Sequence, residues 1–217
     1  GGFETNPAWR RLYLGDPWDH AKVRGSNFNY GDGLKMAMDI GAMPWGHWGG
    51  CHATPINAEA PDYGRRDMTD KTNRLSYTYG VMINTEGKRW VDEGADFNSY
   101  TYAKYGGAIL KQPGSLIYQI FDSKVLEMLE PRYSTSVPFK SDTLEGLVKQ
   151  LKVDHQQAVK TLNEYNAAAG HGKFDPIALD GLHTEGIEPA KTNWAQKLDQ
   201  PPYVAYPVTG GITFTFG

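Results

Sequence analysis

Apolar residues recur at helical spacing in several segments of the chain, and these segments predict a set of short helices. The clearest segment opens at Asp154 and places the apolar side chains between Ala158 and Ala169 on one face. The pattern Asp142–Glu145 resembles a capping box and predicts a helix to about Val153. The other predicted helical segments are 7–22 (one or two turns capped by Asn6), 34–42, 98–111 and 122–129.

Segments of extended character occur between these helices without forming regular strand–helix units. The turn sequence Thr85-Glu86-Gly87 predicts a hairpin, and Thr209-Gly210-Gly211 is predicted to separate two closing strands. Residues 44–76 are predicted to be irregular, and residues 170–200 to be extended and polar. Together these patterns predict an α+β fold. The predicted strands are Ser76–Asn84, Lys88–Val91, Leu116–Phe121, Tyr203–Val208 and Ile212–Phe216.

Composition narrows the class of protein. The formal net charge is −3 and no run of Lys or Arg exists, which argues against a nucleic-acid partner. No apolar run approaches the roughly 20 residues that cross a bilayer. The single cysteine, Cys51, excludes a disulfide framework and fits a cytoplasmic location. The start Gly1-Gly2-Phe3 reads like the middle of a longer chain, so we expect an excised piece of a larger protein.

Two segments carry residue types that could perform chemistry. His52 follows a Gly-Gly pair, and its imidazole could donate a hydrogen bond to a carboxylate or carbonyl; a structural histidine is the alternative. In the segment Tyr100–Gly106, helical spacing would place Thr101, Lys104 and Tyr105 on one face, while Tyr102 faces elsewhere. A phenol near an ammonium group is a candidate proton donor or acceptor, against the alternative of packing aromatics on a surface helix. Cys51 and His52 are adjacent on an extended chain, so their side chains point apart and do not predict a thiolate–imidazole couple.

Three loop arginines could bind carboxylates through two parallel hydrogen bonds, although loop arginines are commonly just solvated; they are Arg65, Arg66 and Arg74. Acidic residues are scattered without ligand spacing, so no metal site is predicted. No Gly-x-Gly-x-x-Gly follows a strand, so the chain has no dinucleotide-binding motif of its own.

Several strings together resemble the FAD-dependent fumarate reductase/succinate dehydrogenase flavoprotein superfamily. The most specific runs from Asn84 to Glu93 (N-x-x-G-K-R-W-V-D-E). The others are Gly1-Gly2-Phe3-Glu4, Gly31-Asp32-Gly33-Leu34 and Cys51-His52-Ala53. Four further strings are similar to the branch that contains FAD-dependent tricarballylate dehydrogenase and a precorrin-3B synthase-type flavoprotein. They are Gly94–Phe97, Tyr100–Gly106, Asn193–Ala195 and Tyr206–Gly217.

The resemblance implies a division of the chain. Residues 1–50 would be the tail of the first FAD-domain segment, 51–209 the substrate-capping domain, and 210–217 the start of the return into the FAD domain. The core that binds most of the FAD would lie outside this sequence. The chain alone would then be inactive and would not bind FAD, although Gly1, Gly2, Gly31, Asp32 and Gly33 would contact it in the intact protein.

The same resemblance implies roles for individual residues. His52 matches a histidine that binds a substrate carboxylate. The position of a proton-transferring arginine falls at Tyr102, and a small slip of the alignment would give Lys104 or Tyr105. A second carboxylate-binding histidine falls at Phe214, with Thr213 before it. The family's Thr-Glu pair has no counterpart, but Arg74 lies near that region and is predicted to orient substrate.

These departures make fumarate or succinate a poor match. The resemblance implies an FAD-dependent oxidoreductase that acts on a C–C bond next to a carboxylate or carbonyl, with a tricarballylate-like substrate. A membrane-bound iron–sulfur protein would reoxidise the flavin. The alternatives are a monooxygenase-like enzyme of cobalamin synthesis and a binding module without catalysis. An apolar face left uncovered on the isolated cap could also make it a homodimer.

Overall fold

The sheet of this protein is built around its last strand. In the computed structural model, which describes residues 1–68 and 70–216, this strand pairs with four others of a six-stranded sheet. The strands are β1 (Lys22–Val23), β2 (Cys51–Asn57), β3 (Val81–Asn84), β4 (Ile117–Phe121), β5 (Phe139–Ser141) and β6 (Tyr203–Thr215). Only β1 runs parallel to its neighbour; every other pair is antiparallel.

Five α-helices and several short helical turns surround this sheet in the described part of the chain. The helices are α1 (Pro7–Trp9), α2 (Asp32–Asp39), α3 (Asn98–Leu110), α4 (Leu144–Val148) and α5 (His155–Ala168). The turns are Arg10–Leu14, Trp18–His20, Ser76–Tyr79, Pro113–Ser115, Ser123–Met128 and Pro131–Thr135. None of the described helices is long and apolar enough to span a membrane.

Both faces of the sheet are covered, because successive side chains of a strand point to opposite faces. On β4, Tyr118 and Ile120 join a core with α4 and α5, whereas Ile117 and Phe121 join a second core with α3. Every residue of β4 is therefore buried, which explains why its sequence lacks an alternation of apolar and polar residues.

Most of the predicted helices are confirmed. Asn6 accepts a hydrogen bond from Trp9 N and begins α1, and Asp154 accepts one from Gln157 N and begins α5. The helix predicted over 98–111 is α3. The helix predicted to end near Val153 ends at Val148 instead, and its cap is Thr143.

Two strand predictions were wrong in whole or in part, and one strand was missed. Ser76–Tyr79 is a helical turn, and Lys88–Val91 does not return beside β3, whose strand partner is β4. A strand returning beside β3 would accept a hydrogen bond from Met82 N. This N–H donates instead to the carboxylate of Glu93, at 2.8 Å. Residues 51–57, predicted as irregular, form β2.

The two closing strands are one continuous strand, β6, and the boundary predicted between residues 209 and 210 lies inside it. Gly210 and Gly211 lie within this strand and do not form a turn; they leave room for neighbouring elements to pack closely. A Cβ at Gly210 would lie 2.3 Å from Leu110 Cγ, and one at Gly211 would lie 2.2 Å from Ile56 Cδ1. The two glycines therefore let α3 and β2 approach the strand closely.

Candidate functional site

The structure brings His52 and Tyr102 into direct contact. His52 is the second residue of β2, and Tyr102 lies in the first half of α3. The imidazole Nε2 and the phenol oxygen share a short hydrogen bond, and the two ring centroids are 5.2 Å apart. Two groups that can hold or move a proton are therefore paired, as a candidate acid–base site requires.

A glycine on α3 makes this contact feasible. Gly106 lies one helical turn after Tyr102, on the same face of α3. A Cβ at Gly106 would lie 2.3 Å from Thr54 N, so the helix rests directly on the backbone of β2. Because His52 and Thr54 are two residues apart on that strand, their side chains point to the same face. The close approach at Gly106 thus places Tyr102 over His52.

Phe214 completes the cluster from the neighbouring strand. It is the register partner of His52, and the two rings meet edge to face with centroids 4.8 Å apart. His52 is paired with Phe214 and the next residue, Ala53, with Ile212. Thr213 has no partner on β2 and is therefore the extra residue of a β-bulge. We call His52, Tyr102 and Phe214 the aromatic cluster. Phe214 is 45% exposed, so the cluster opens to the surface.

Two polar atoms beside the cluster are buried without a hydrogen-bond partner among the described residues. They are His52 Nδ1 and Thr213 Oγ1. Leaving such atoms unpaired costs free energy, so buried polar atoms of this kind commonly bind water or a ligand. This observation supports the predicted ligand-binding role of both residues.

Charge and burial favour the neutral form of His52. Burial lowers the pKa of its imidazole, and the nearby positive charge of Arg24 lowers it further. On the preceding residue, burial raises the pKa of the Cys51 thiol to about 12, so the thiol stays protonated. Cys51 packs beside the core of Val23 and Leu110, on the other side of the strand from the cluster. The prediction that Cys51 and His52 do not form a couple is therefore supported.

The other two candidates for proton transfer are placed less favourably. Lys104 is exposed on α3 and lies over the ring of Tyr105, with Nζ 5.6 Å from its centroid. Tyr105 is buried and donates its hydroxyl hydrogen to the carbonyl of Asp92, and burial raises the pKa of its phenol. Tyr102 is thus the candidate that meets a second titratable group.

The structure favours a structural role for Arg74 over the predicted substrate-binding role. Its side chain is fully buried and donates to the carbonyls of Asn73 (2.9 Å) and Arg132 (3.1 Å) and to Ser136 Oγ (2.8 Å). The guanidinium also lies 5.1 Å from the centroid of the Tyr133 ring. These contacts join the chain around Arg74 to the turn Pro131–Thr135 and to Ser136. The Nε atom of Arg74 has no hydrogen-bond partner among the described residues.

The residues predicted to contact FAD lie near the aromatic cluster. Phe3 N donates to Thr215 Oγ1, which places the Gly1–Phe3 segment beside the end of β6. Thr5 N donates to the carbonyl of Asn29, so this segment also runs beside the loop that leads to Gly31 and α2. At Gly31 the φ of +90° is one that glycine adopts readily, and a Cβ there would lie 2.7 Å from the Trp9 ring.

Gly33 and Asp32 contribute few contacts to the rest of the described chain. A Cβ at Gly33 would meet open space, and Asp32 is exposed in the first turn of α2. A carboxylate in that turn repels a phosphate that would otherwise bind the helix N-terminus. Together, Gly1, Gly2, Gly31, Asp32 and Gly33 fit a backbone contact with one part of a cofactor whose other contacts come from elsewhere.

The most specific of the resembling strings, Asn84–Glu93, has a structural role. Asn84 Oδ1 accepts hydrogen bonds from Glu86 N and Lys88 N, which closes the turn. Arg89 and Glu93 form a buried bidentate ion pair, with Nη2–Oε2 at 2.6 Å and Nε–Oε1 at 3.1 Å. These contacts within the chain are sufficient to explain why Asn, Arg and Glu stand at these positions of the string, and no ligand contact is needed.

One charged residue near the cluster was missed by the sequence reasoning. Arg24 directly follows β1, and its backbone N–H donates to the carbonyl of Ile212 on β6 at 2.9 Å. An arginine at the end of a strand, followed by Gly25 and Ser26, was the available signal. It was not recognised because β1 is only two residues long.

This fold is the α+β capping-domain fold of fumarate-reductase-like flavoproteins. Superposition on the open conformation of a flavocytochrome c3 fumarate reductase gives a TM-score of 0.68 at 24% identity and covers 99% of this chain and 34% of that one. A 3-ketosteroid delta1-dehydrogenase from Sterolibacterium denitrificans gives 0.67 at 23% identity, covering 99% and 41%.

The sequence itself is similar to a probable fumarate reductase, Ifc3, from Shewanella frigidimarina. The two are 28% identical over 191 residues, which is 86% of this chain and 28% of the relative. The chain therefore spans less than a third of the length of this relative. No protein-family model matches the sequence.

Proposed function

We propose that this chain is the substrate-capping part of an FAD-dependent oxidoreductase that acts on a C–C bond next to a carboxylate or carbonyl. The observation that carries the proposal is the hydrogen bond between Tyr102 and His52 at the open side of the aromatic cluster. The similarity to a fumarate reductase and the shared fold support it.

In this proposal the residues of the chain bind and orient the substrate and move one proton. Tyr102 exchanges a proton between its phenol and a substrate carbon, and His52, paired with that phenol, holds it in place and donates to or accepts from the substrate. The flavin, when bound, supplies the hydride acceptor or donor. Phe214 and Thr213 form the adjacent wall of the site.

The intact protein would contain a flavin domain against which part of this chain packs. The exposed apolar residues of α2 and of the segment between α2 and β2 support this, because patches of this kind mark interaction surfaces. They are Met36, Ile40, Met43 and Trp45. The finer features of the proposal are a tricarballylate-like substrate and flavin reoxidation by a membrane-bound iron–sulfur protein, and both derive from the resemblance of the sequence.

The test is Tyr102→Phe in the flavoprotein that contains this segment, with tricarballylate and a steroid ketone as trial substrates. Loss of a general acid or base lowers turnover by about 10²- to 10⁴-fold. Tyr100→Phe is the matched control, because Tyr100 lies on the same helix and is 77% exposed. Unchanged turnover of the Tyr102 variant would remove this residue from the proposed mechanism.

A further inference from the structure

A cavity lined by three arginines lies at the end of β1. Its volume is about 490 Å³, and its lining residues are Arg24, Gly25, Ser26, Phe28, Arg65 and Arg66. The charged residues among them are all arginines, and no carboxylate lines the cavity. Phe28, which is 84% exposed, supplies an apolar wall.

Backbone pairing brings the two arginine-bearing segments together. Val23 N donates to the carbonyl of Asp62 at 2.7 Å, and Gly64 N donates to the carbonyl of Val23 at 2.8 Å. A Cβ at Gly64 would lie 2.0 Å from the carbonyl oxygen of Arg24, so only glycine allows this approach. The loop that carries Arg65 and Arg66 is thereby held beside Arg24.

The positive charges in the cavity are poorly compensated. Arg65 pairs with Asp67 at 3.4 Å, and both side chains are largely exposed. Among the described residues, no side-chain hydrogen bond or ion pair involves the guanidinium of Arg24 or Arg66. Like charges held near one another repel, and a bound anion would relieve that repulsion. Guanidinium groups match carboxylates and phosphates through two parallel hydrogen bonds.

Arg24 links the cavity to β6, the strand that carries Phe214 of the aromatic cluster. Arg24 is hydrogen-bonded to the carbonyl of Ile212, which lies two residues before Phe214 on β6. The charge of Arg24 also acts on the imidazole of His52. A ligand with an anionic group in the cavity could therefore extend its carbon skeleton toward His52 and Tyr102.

We propose that the cavity of Arg24, Arg65 and Arg66 binds an anionic oxygen group, either a carboxylate of the substrate or a phosphate of the cofactor. The assignment of that anionic group to a substrate that also contacts the aromatic cluster rests on the proposed function. Anion binding by the cavity does not, because it follows from the arginines alone.

The test is calorimetric titration of the purified 217-residue chain with tricarballylate and, separately, with inorganic pyrophosphate at low ionic strength. We expect one of them to bind, and Arg24→Gln combined with Arg66→Gln to weaken binding at least about tenfold. Arg11→Gln is the control, because Arg11 is exposed and pairs with Asp16 and Asp19 outside the cavity. If the double variant unfolds, Arg66→Gln is used by itself. The Arg66 side chain makes no hydrogen bond or ion pair with a described residue, so its substitution is expected to leave the fold intact.

Binding of tricarballylate but not pyrophosphate assigns the cavity to a carboxylate substrate, and the reverse assigns it to a phosphate. If neither anion binds, or if Arg11→Gln weakens binding as much as the cavity variants do, the proposal is overturned. Tyr102→Phe separates this inference from the proposed function. That variant is expected to keep full anion affinity even where it loses turnover.

Discussion

The phenol of Tyr102 and the imidazole of His52 share a hydrogen bond although 50 positions separate the two residues in the sequence. They belong to different elements, a helix and a strand, which meet through the close packing of Gly106 on Thr54. The geometry of the candidate site therefore depends on one helix–strand contact. This dependence makes the contact itself a target for mutation.

Gly106→Ala is expected to destabilise the protein by about 1–3 kcal/mol, because the added methyl group overlaps the backbone of Thr54 and no side-chain rotation relieves it. Urea unfolding measures the loss. Gly107→Ala is the matched control, since its Cβ would lie 3.6 Å from the Trp18 ring, an ordinary contact distance. Equal losses in the two variants would show that the approach of α3 to β2 is not close.

Stability should depend on pH through His52. The pKa of its imidazole is lowered in the folded protein, mainly by burial and then by the charge of Arg24. At a pH between the folded and the unfolded pKa, the imidazole is therefore protonated in the unfolded chain and neutral in the folded one. The stability that this shift contributes is complete above the unfolded pKa of about 6.5 and is lost as pH falls toward the folded pKa. The measurement is the unfolding free energy of the wild type minus that of His52→Gln. This difference should decrease between about pH 7.5 and pH 5; a constant difference would contradict the lowered pKa.

The parts of the fold that were predicted correctly depend on local sequence. Asp154 and Asn6 cap their helices through contacts within three residues, so a short window contains the whole signal. The strand predictions failed where the decisive contact is distant. Met82 N finds its acceptor in Glu93, and Gly210 is required by Leu110 of another element.

The candidate site was predicted only in part for the same reason. Residue types and resemblance selected His52, Tyr102 and Phe214, and the structure brings these three together. They also selected Arg74, because a loop arginine looks the same in sequence whether it faces a ligand or the interior. Arg24 was missed because its importance comes from the loop of Arg65 that lies beside it.

Glu93→Gln is expected to cost about 3–5 kcal/mol of unfolding free energy, because it leaves the buried charge of Arg89 without its partner. Burial alone would raise the pKa of Glu93, but the charge and hydrogen bonds of Arg89 outweigh it and the pKa is lowered. The cost should hold above the unfolded pKa of about 4.3 and shrink as pH falls through the folded value. Glu86→Gln is the control: Glu86 is exposed and pairs with Lys88, so a comparable loss there would contradict the assignment.

The isolated chain is expected not to bind FAD in a fluorescence-quenching titration up to millimolar concentration. The residues predicted to contact the cofactor offer glycine backbone and the carboxylate of Asp32 on an open surface, which is too few contacts for a dinucleotide. Tight stoichiometric binding would mean that the chain holds a complete flavin site. The proposal of a separate flavin domain would then fail.

Arg74→Met should lower the unfolding free energy by about 3 kcal/mol, because the charged hydrogen bonds of the guanidinium to three carbonyls and two hydroxyls are lost. Methionine keeps much of the side-chain volume, so the loss reports the polar contacts more than a cavity. Arg65→Met is the control, since Arg65 is exposed and its substitution should change stability by less than about 0.5 kcal/mol. A stable Arg74 variant with weakened tricarballylate binding would instead support the predicted substrate-binding role.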